Sequence, residues 1–278
     1  MEFRTPVEIS KPGFEIEPDD ELLFVGSCFA DSIGQRFREQ RLRVTVNPRG
    51  TMYNPASILH TLQLCPELRP HVAFLTLGTN HVYRLKATGE IVDNCEKRPA
   101  TLFQEEELTV DECADYLQQC VTLLRERRPD VHVVLTVSPI RYRKYGYHKS
   151  QLSKATLLLA VDSLACSVER VEFSQLSYFP AYELLLDELR DYRFYQPDML
   201  HPSQQAVDYI WEKLYEHYFS PRLKDYLRQW APIRAALQHR PFNPDSPDYK
   251  AFMAQARERL DSLRQQYPLL PLDNETTK

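Results

Sequence analysis

Glycine is scarce, with seven residues in 278, so a glycine closing an apolar run marks a place where the backbone needs its freedom. No stretch approaches the roughly 20 apolar residues of a membrane span, and the N-terminal "MEFRTPVEISKPGFEIEPDDE" lacks the basic and apolar regions of a secretory signal. Both absences lead us to expect a cytoplasmic chain without a membrane partner. The six cysteines (Cys28, Cys65, Cys95, Cys113, Cys120, Cys166) show no CxxC spacing. That speaks against a zinc ribbon or dithiol redox centre and for reduced thiols; neither metal nor cofactor is expected. Neither charge sign dominates: 34 basic residues face 39 acidic ones, for a net −5, and no Lys/Arg run stands out. A nucleic-acid or anionic-membrane surface has no support in such a balance, and the expected partner is a small molecule.

What is present is an alternation of two patterns. Short, continuous apolar runs occur at 22–25 (LLFV), 42–46 (LRVTV), 72–77 (VAFLTL) and 131–137 (VHVVLTV), with a fifth strand expected within 171–179. Continuous hydrophobicity marks strands covered on both faces, as in a parallel sheet. Helical patterns lie between them at about 28–39, 55–63, 111–126 and 151–167, and further ones follow at about 180–190 and 203–218. The economical topology is a three-layer α/β/α sandwich around a five-stranded parallel sheet. We expect one main domain over 1–220 and a C-terminal helical extension over 221–278 that packs on it and ends in a frayed polar tail. The segment 84–108 reads as an insertion, a β-hairpin and loop near the site.

In such a sheet, ligands bind beyond the carboxyl ends of the strands. After the first run come Gly26, Ser27 and Cys28 on a strand-to-helix turn, where a hydroxyl could attack a carbonyl or simply cap the helix. After the second, "NPRGTMYNP" carries Gly50, whose N–H could approach a ligand or serve only a turn. After the third, "LTLGTNHVY" carries Asn80, a neutral amide donor suited to an oxyanion or to its own turn. Further on, "QPDMLHPSQQ" sets Asp198 three residues before His201, so that the carboxylate could orient the ring of a general base.

This ordered set resembles the SGNH (GDSL-like) hydrolase superfamily, whose blocks supply a nucleophilic serine, an oxyanion glycine, an oxyanion asparagine and an Asp-x-x-His pair. The segments "GSCFA" (26–30), "NPRGTMYNP" (47–55), "GTNHVY" (78–83), "LTVSPIR" (135–141), "LSKATLLLA" (152–160) and "YRFYQPDMLHPS" (192–203) are similar to the GSCFA-domain family. The resemblance covers roughly residues 20 to 220. It implies Ser27 as nucleophile, His201 and Asp198 as base and orienting acid, and Gly50, Asn80 and the Ser27 N–H as the oxyanion hole. Two departures from the superfamily pattern stand out: Gly-Ser-Cys-Phe replaces Gly-Asp-Ser-Leu, and His81 occupies the place of the Asp in Gly-x-Asn-Asp.

His148 and Arg141, in the loop expected after the fourth strand, could reach the same mouth and bind substrate, or could be solvated loop residues. Cys28 could itself be a nucleophile, but beside apolar Phe29 a buried Cys28 is the favoured reading. Asp93, Cys95 and Glu96 lie close together yet lack a histidine at usable spacing, so an exposed polar turn is expected rather than a metal site. "DYIWEKLYEHY" has helical spacing and reads as core packing, not a stacking platform. The leading functional expectation is a serine hydrolase acting on an acyl ester of a small or carbohydrate-like substrate. The alternatives are an acyltransferase using the same residues and a non-catalytic binding module of the same fold.

Overall fold

In the computed structural model, which describes residues 4–93, 95, 98–166 and 175–272, the first apolar run is β1 (Leu22–Gly26), followed by α1 (Cys28–Glu39), β2 (Val44–Val46), α2 (Pro55–Leu64) and β3 (Val72–Leu77). The next segment forms β4 (His81–Leu85), β5 (Ile91–Val92) and β6 (Phe103–Glu107). Then come α3 (Val110–Arg127), β7 (His132–Val137), α4 (Tyr147–Cys166), β8 (Leu176–Tyr178) and the short α5 (Ala181–Glu183). Three long helices complete the described chain: α6 (Gln204–Tyr218), α7 (Pro221–Gln238) and α8 (Pro247–Gln266).

The central sheet has the order β2-β1-β3-β7-β8 with every pairing parallel. Its central strands β1, β3 and β7 are apolar at most positions, with Thr76, His132 and Thr136 as exceptions, because both faces are covered. In β1, Leu22 and Phe24 enter one core with Phe29, Ile33 and Phe37 of α1 and Ile210 and Leu214 of α6. Leu23 and Val25 enter the other, with α2, α3 and α4. Five parallel strands between two helical layers are the expected α/β/α sandwich.

The last two helices share the first of these cores. Tyr226, Trp230 and Ile233 of α7 and Leu260 and Leu263 of α8 are buried in the cluster that holds Phe24 and Phe37. Tyr226 Oη donates to the Gln40 carbonyl at 2.7 Å and Trp230 Nε1 to that of Glu39 at 3.2 Å. These two bonds satisfy carbonyls that the C-terminus of α1 would otherwise leave exposed.

Several expectations shift in detail. The insertion is a three-stranded antiparallel sheet, β5-β4-β6, rather than a lone hairpin. The helix expected from 151 begins at Tyr147, and the one expected over 180–190 is α5 continued by a π-helical turn, Leu184–Leu189. The fifth strand spans only Leu176–Tyr178; residues 171–174 and the expected polar tail from 273 lie outside the described residues.

Candidate active site

The turn out of β1 requires its glycine. Gly26 has φ +144°, and a Cβ there would lie 2.1 Å from the Thr76 carbonyl oxygen on the neighbouring strand. The turn is pinned on both sides: Gly26 N–H donates to Asn47 Oδ1 at 2.8 Å, and Met52 N–H donates to the Gly26 carbonyl at 2.9 Å. Asn47 Nδ2 and Thr51 Oγ1 in turn donate to the Asp31 carboxylate, so the loop after β2 is fastened to α1.

Ser27 and Cys28 leave this turn in opposite ways. Ser27 is the N-cap of α1, only 1% exposed, and its Oγ accepts from the Phe29 N–H at 3.3 Å. Cys28 is the first residue of the helix and half-exposed, with Sγ 3.3 Å from the Tyr53 hydroxyl. The expectation of a buried Cys28 beneath an outward Ser27 is thus corrected. An N-cap hydroxyl folds back onto its own helix, which sends the next side chain outward.

A cavity of about 410 Å³ opens there, lined by Cys28, Tyr53, Ile140, Arg141, Tyr142, Arg143, Lys144, Leu200 and His201. His201 Nδ1 lies 2.5 Å from Asp198 Oδ2, while Asp198 Oδ1 accepts the N–H groups of Leu200 (2.8 Å) and His201 (3.0 Å). The His201 bond first, then these two N–H groups, lower the Asp198 carboxyl to about 2. An ionised carboxylate only accepts, so in the neutral ring it is Nδ1 that carries the proton and Nε2 that holds the lone pair. Arg141 ties the dyad loop to the end of β7: its N–H donates to the Leu200 carbonyl at 3.0 Å and its guanidinium to that of Met199 at 3.2 Å.

Of the three expected oxyanion donors, the two backbone N–H groups bond other carbonyls, and the Asn80 amide commits one of its two N–H groups. The Ser27 N–H donates to the Thr76 carbonyl at 3.0 Å, and Gly50, at φ +89°, donates to the Asn47 carbonyl at 2.9 Å in a tight turn. Asn80 is 4% exposed and its Nδ2 donates to the Leu108 carbonyl at 2.7 Å, which joins β4 to the start of α3. A donor nearer the cavity is the Cys28 N–H, which as the first of α1 has no acceptor within its helix.

Of the other residues singled out, Arg141 lines the cavity, but His148 does not; it is exposed in the first turn of α4, not in the loop. His81 is buried and stacks on Tyr145 at 3.8 Å, with burial lowering its basicity. Asp93 pairs with His60 of α2 at 2.6 Å, and Glu96 lies outside the described residues.

Two residues escaped the sequence reading. Tyr53 is held in place through its carbonyl, which accepts from both Gly78 and Thr79 N–H at 2.8 Å. Burial, then the bond to the Cys28 thiol, raises its phenol well above the ordinary range, so it keeps its proton and can donate to sulfur. Lys154 is 2% exposed, and its Nζ donates to the Gly78 (2.6 Å) and Ser138 (2.8 Å) carbonyls at the ends of β3 and β7; burial lowers it to about 7. The signal for Lys154 was a lone cation within the apolar pattern of "LSKATLLLA". The signal for Cys28 was register: counted from the glycine, it stands where Gly-Asp-Ser-Leu has its serine.

Several solved structures are similar in fold. A putative platelet activating factor from Streptococcus pneumonia is 19% identical (76% of this chain, 85% of that one, TM-score 0.44). A putative acylhydrolase from Bacteroides fragilis is 14% identical (79% and 92%, TM-score 0.48). A carbohydrate esterase family 3 protein from Talaromyces cellulolyticus is 10% identical (75% and 98%, TM-score 0.42). No curated protein matches the chain. The GSCFA family matches residues 21–71 and 68–214, and the C-terminal domain of GSCFA domain proteins matches 230–278. On that coverage the chain belongs to the GSCFA family.

Proposed function

We propose that this protein is an acyl hydrolase that cleaves esters of small or carbohydrate-like alcohols, with His201 as general base and a nucleophile on the turn from Gly26 to Cys28. The observation that carries the reading is the shared cavity: His201, its Nδ1 held by Asp198, lines the same recess as the first residue of α1. A nucleophile beside an oriented base is the minimum constellation for acyl transfer. The volume, about 410 Å³, suits a short acyl group and part of a small alcohol. Arg141, Arg143 and Lys144 on the lining favour an alcohol that carries hydroxyls or negative charge, since guanidinium and ammonium groups are donors only. A single oriented histidine then takes the nucleophile's proton and returns it to the leaving alcohol.

A panel of 4-nitrophenyl acetate, butyrate and octanoate together with acetylated sugars tests this reading. The expected result is turnover of the short esters, with the octanoate poorest, and loss of turnover in His201→Ala. A purified wild-type protein that turns over none of these esters overturns it.

A further inference from the structure

We propose that Cys28, not Ser27, is the nucleophile, so that the acyl-enzyme is a thioester. This rests on the hydrolase reading and names the residue that the reading leaves open. Three observations carry it. Cys28 lines the cavity with His201, whereas Ser27 is 1% exposed and does not. Ser27 Oγ accepts the Phe29 N–H as the cap of α1 and the Ser27 N–H donates to the Thr76 carbonyl, so an attack by this oxygen would weaken the cap. Tyr53 Oη stands 3.3 Å from Cys28 Sγ, where a phenol that keeps its proton can steady a sulfur anion.

The chemistry closes on these groups. His201 Nε2 takes the Cys28 S–H proton as a sulfur lone pair attacks the ester carbonyl carbon. The C–S bond forms and the carbonyl π electrons move to oxygen, toward which the Cys28 N–H at the α1 terminus can point. The tetrahedral adduct collapses: the C–O bond to the alcohol breaks, and the alcohol leaves with the proton held on Nε2. Water then attacks the thioester, giving its proton to Nε2. The C–S bond breaks, the acid leaves and the thiol recovers its proton. One ester and one water become one acid and one alcohol. Asp198 moves no proton; it positions the ring.

The test compares wild type, Cys28→Ala and Ser27→Ala on 4-nitrophenyl acetate, with peptide mapping of acid-quenched wild type. We expect Cys28→Ala to lose turnover by about a thousandfold or more, on the scale of a lost nucleophile. Ser27→Ala should stay within about tenfold of wild type, because it loses a cap rather than a reacting atom. The quenched wild type should carry acetyl on Cys28, removable by neutral hydroxylamine as a thioester is. Iodoacetamide should inactivate wild type by alkylating Cys28, and the alkylation itself, followed by peptide mass, should be slower in His201→Ala. Because Cys28 is half-exposed and begins its helix, alanine should fold there; the mapping of wild type decides the matter if it does not. Acetyl on Ser27, or a Cys28→Ala enzyme as fast as wild type, overturns the thiol assignment while the hydrolase reading survives. A wild type silent on every ester removes both.

Discussion

Asp198 grips His201 at two points, its Oδ2 on the ring Nδ1 at 2.5 Å and its Oδ1 on the His201 N–H at 3.0 Å. Four residues of chain thus close into a bracket that sets both the direction of the imidazole and the tautomer of its neutral form. His201→Ala should therefore abolish ester cleavage. Asp198→Asn should leave a remnant, because the ring can still act as a base in a fraction of its orientations. Initial rates on 4-nitrophenyl acetate check this, and wild-type rates in both variants would take the pair out of the reaction.

Asn80 has its amide on the Leu108 carbonyl at 2.7 Å. Asn80→Ala should consequently act on stability, by about 1–3 kcal/mol for a buried acceptor left unpaired, with kcat changed by less than tenfold. Urea unfolding alongside steady-state kinetics separates the outcomes. A hundredfold fall in kcat with unchanged stability would return the amide to the oxyanion hole.

At Gly26, any side chain meets the Thr76 carbonyl oxygen at 2.1 Å on a backbone already at φ +144°. Gly26→Ala should lower Tm sharply or prevent accumulation of folded protein. Gly50→Ala should cost much less, because at φ +89° only the backbone objects and nothing stands within 4 Å of the added carbon. Parallel thermal melts decide the comparison, and equal losses would refute the steric argument.

Lys154 supplies a pH signature. Its folded value, about 7, lies below the ordinary 10.5 because burial disfavours the charged form. The unfolded chain therefore binds the proton more tightly, and between pH 7 and 10.5 unfolding takes up protons, so stability rises with pH. Below pH 7 both states are protonated and this contribution is flat. Urea titrations of wild type and Lys154→Met at pH 6.5, 8 and 9.5 should show wild type gaining on the variant as pH increases. A constant gap would mean that the amine is charged throughout.

How far the sequence foretold all this differs between fold and site. β1, β3 and β7 were legible because central strands buried on both faces are apolar at nearly every position. β8, at the sheet edge, is three residues long and has no such signature. The His201–Asp198 pairing could be read because both partners lie within one turn of chain. The partners of the oxyanion candidates could not: the Gly50 N–H goes to the Asn47 carbonyl and one N–H of the Asn80 amide to that of Leu108, pairings that spacing does not reveal. Ser27 and Cys28 differ by one step of helix phase. The capping preference of serine, which the sequence did display, sets Ser27 inward and Cys28 outward.

The hydrogen bonds from Tyr226 and Trp230 to the end of α1 span separations of 186 and 191 residues. During synthesis at ~5–20 residues per second, the far end of that helix waits roughly 10–40 s for its partners. Throughout that interval the Glu39 and Gln40 carbonyls lack the donors that α7 later supplies. Long-range closures of this kind make folding slow and leave sticky intermediates. The helix that opens at Cys28 is thus among the first elements made and among the last to be sealed, and variants that weaken α7 should fail first in yield from the cell.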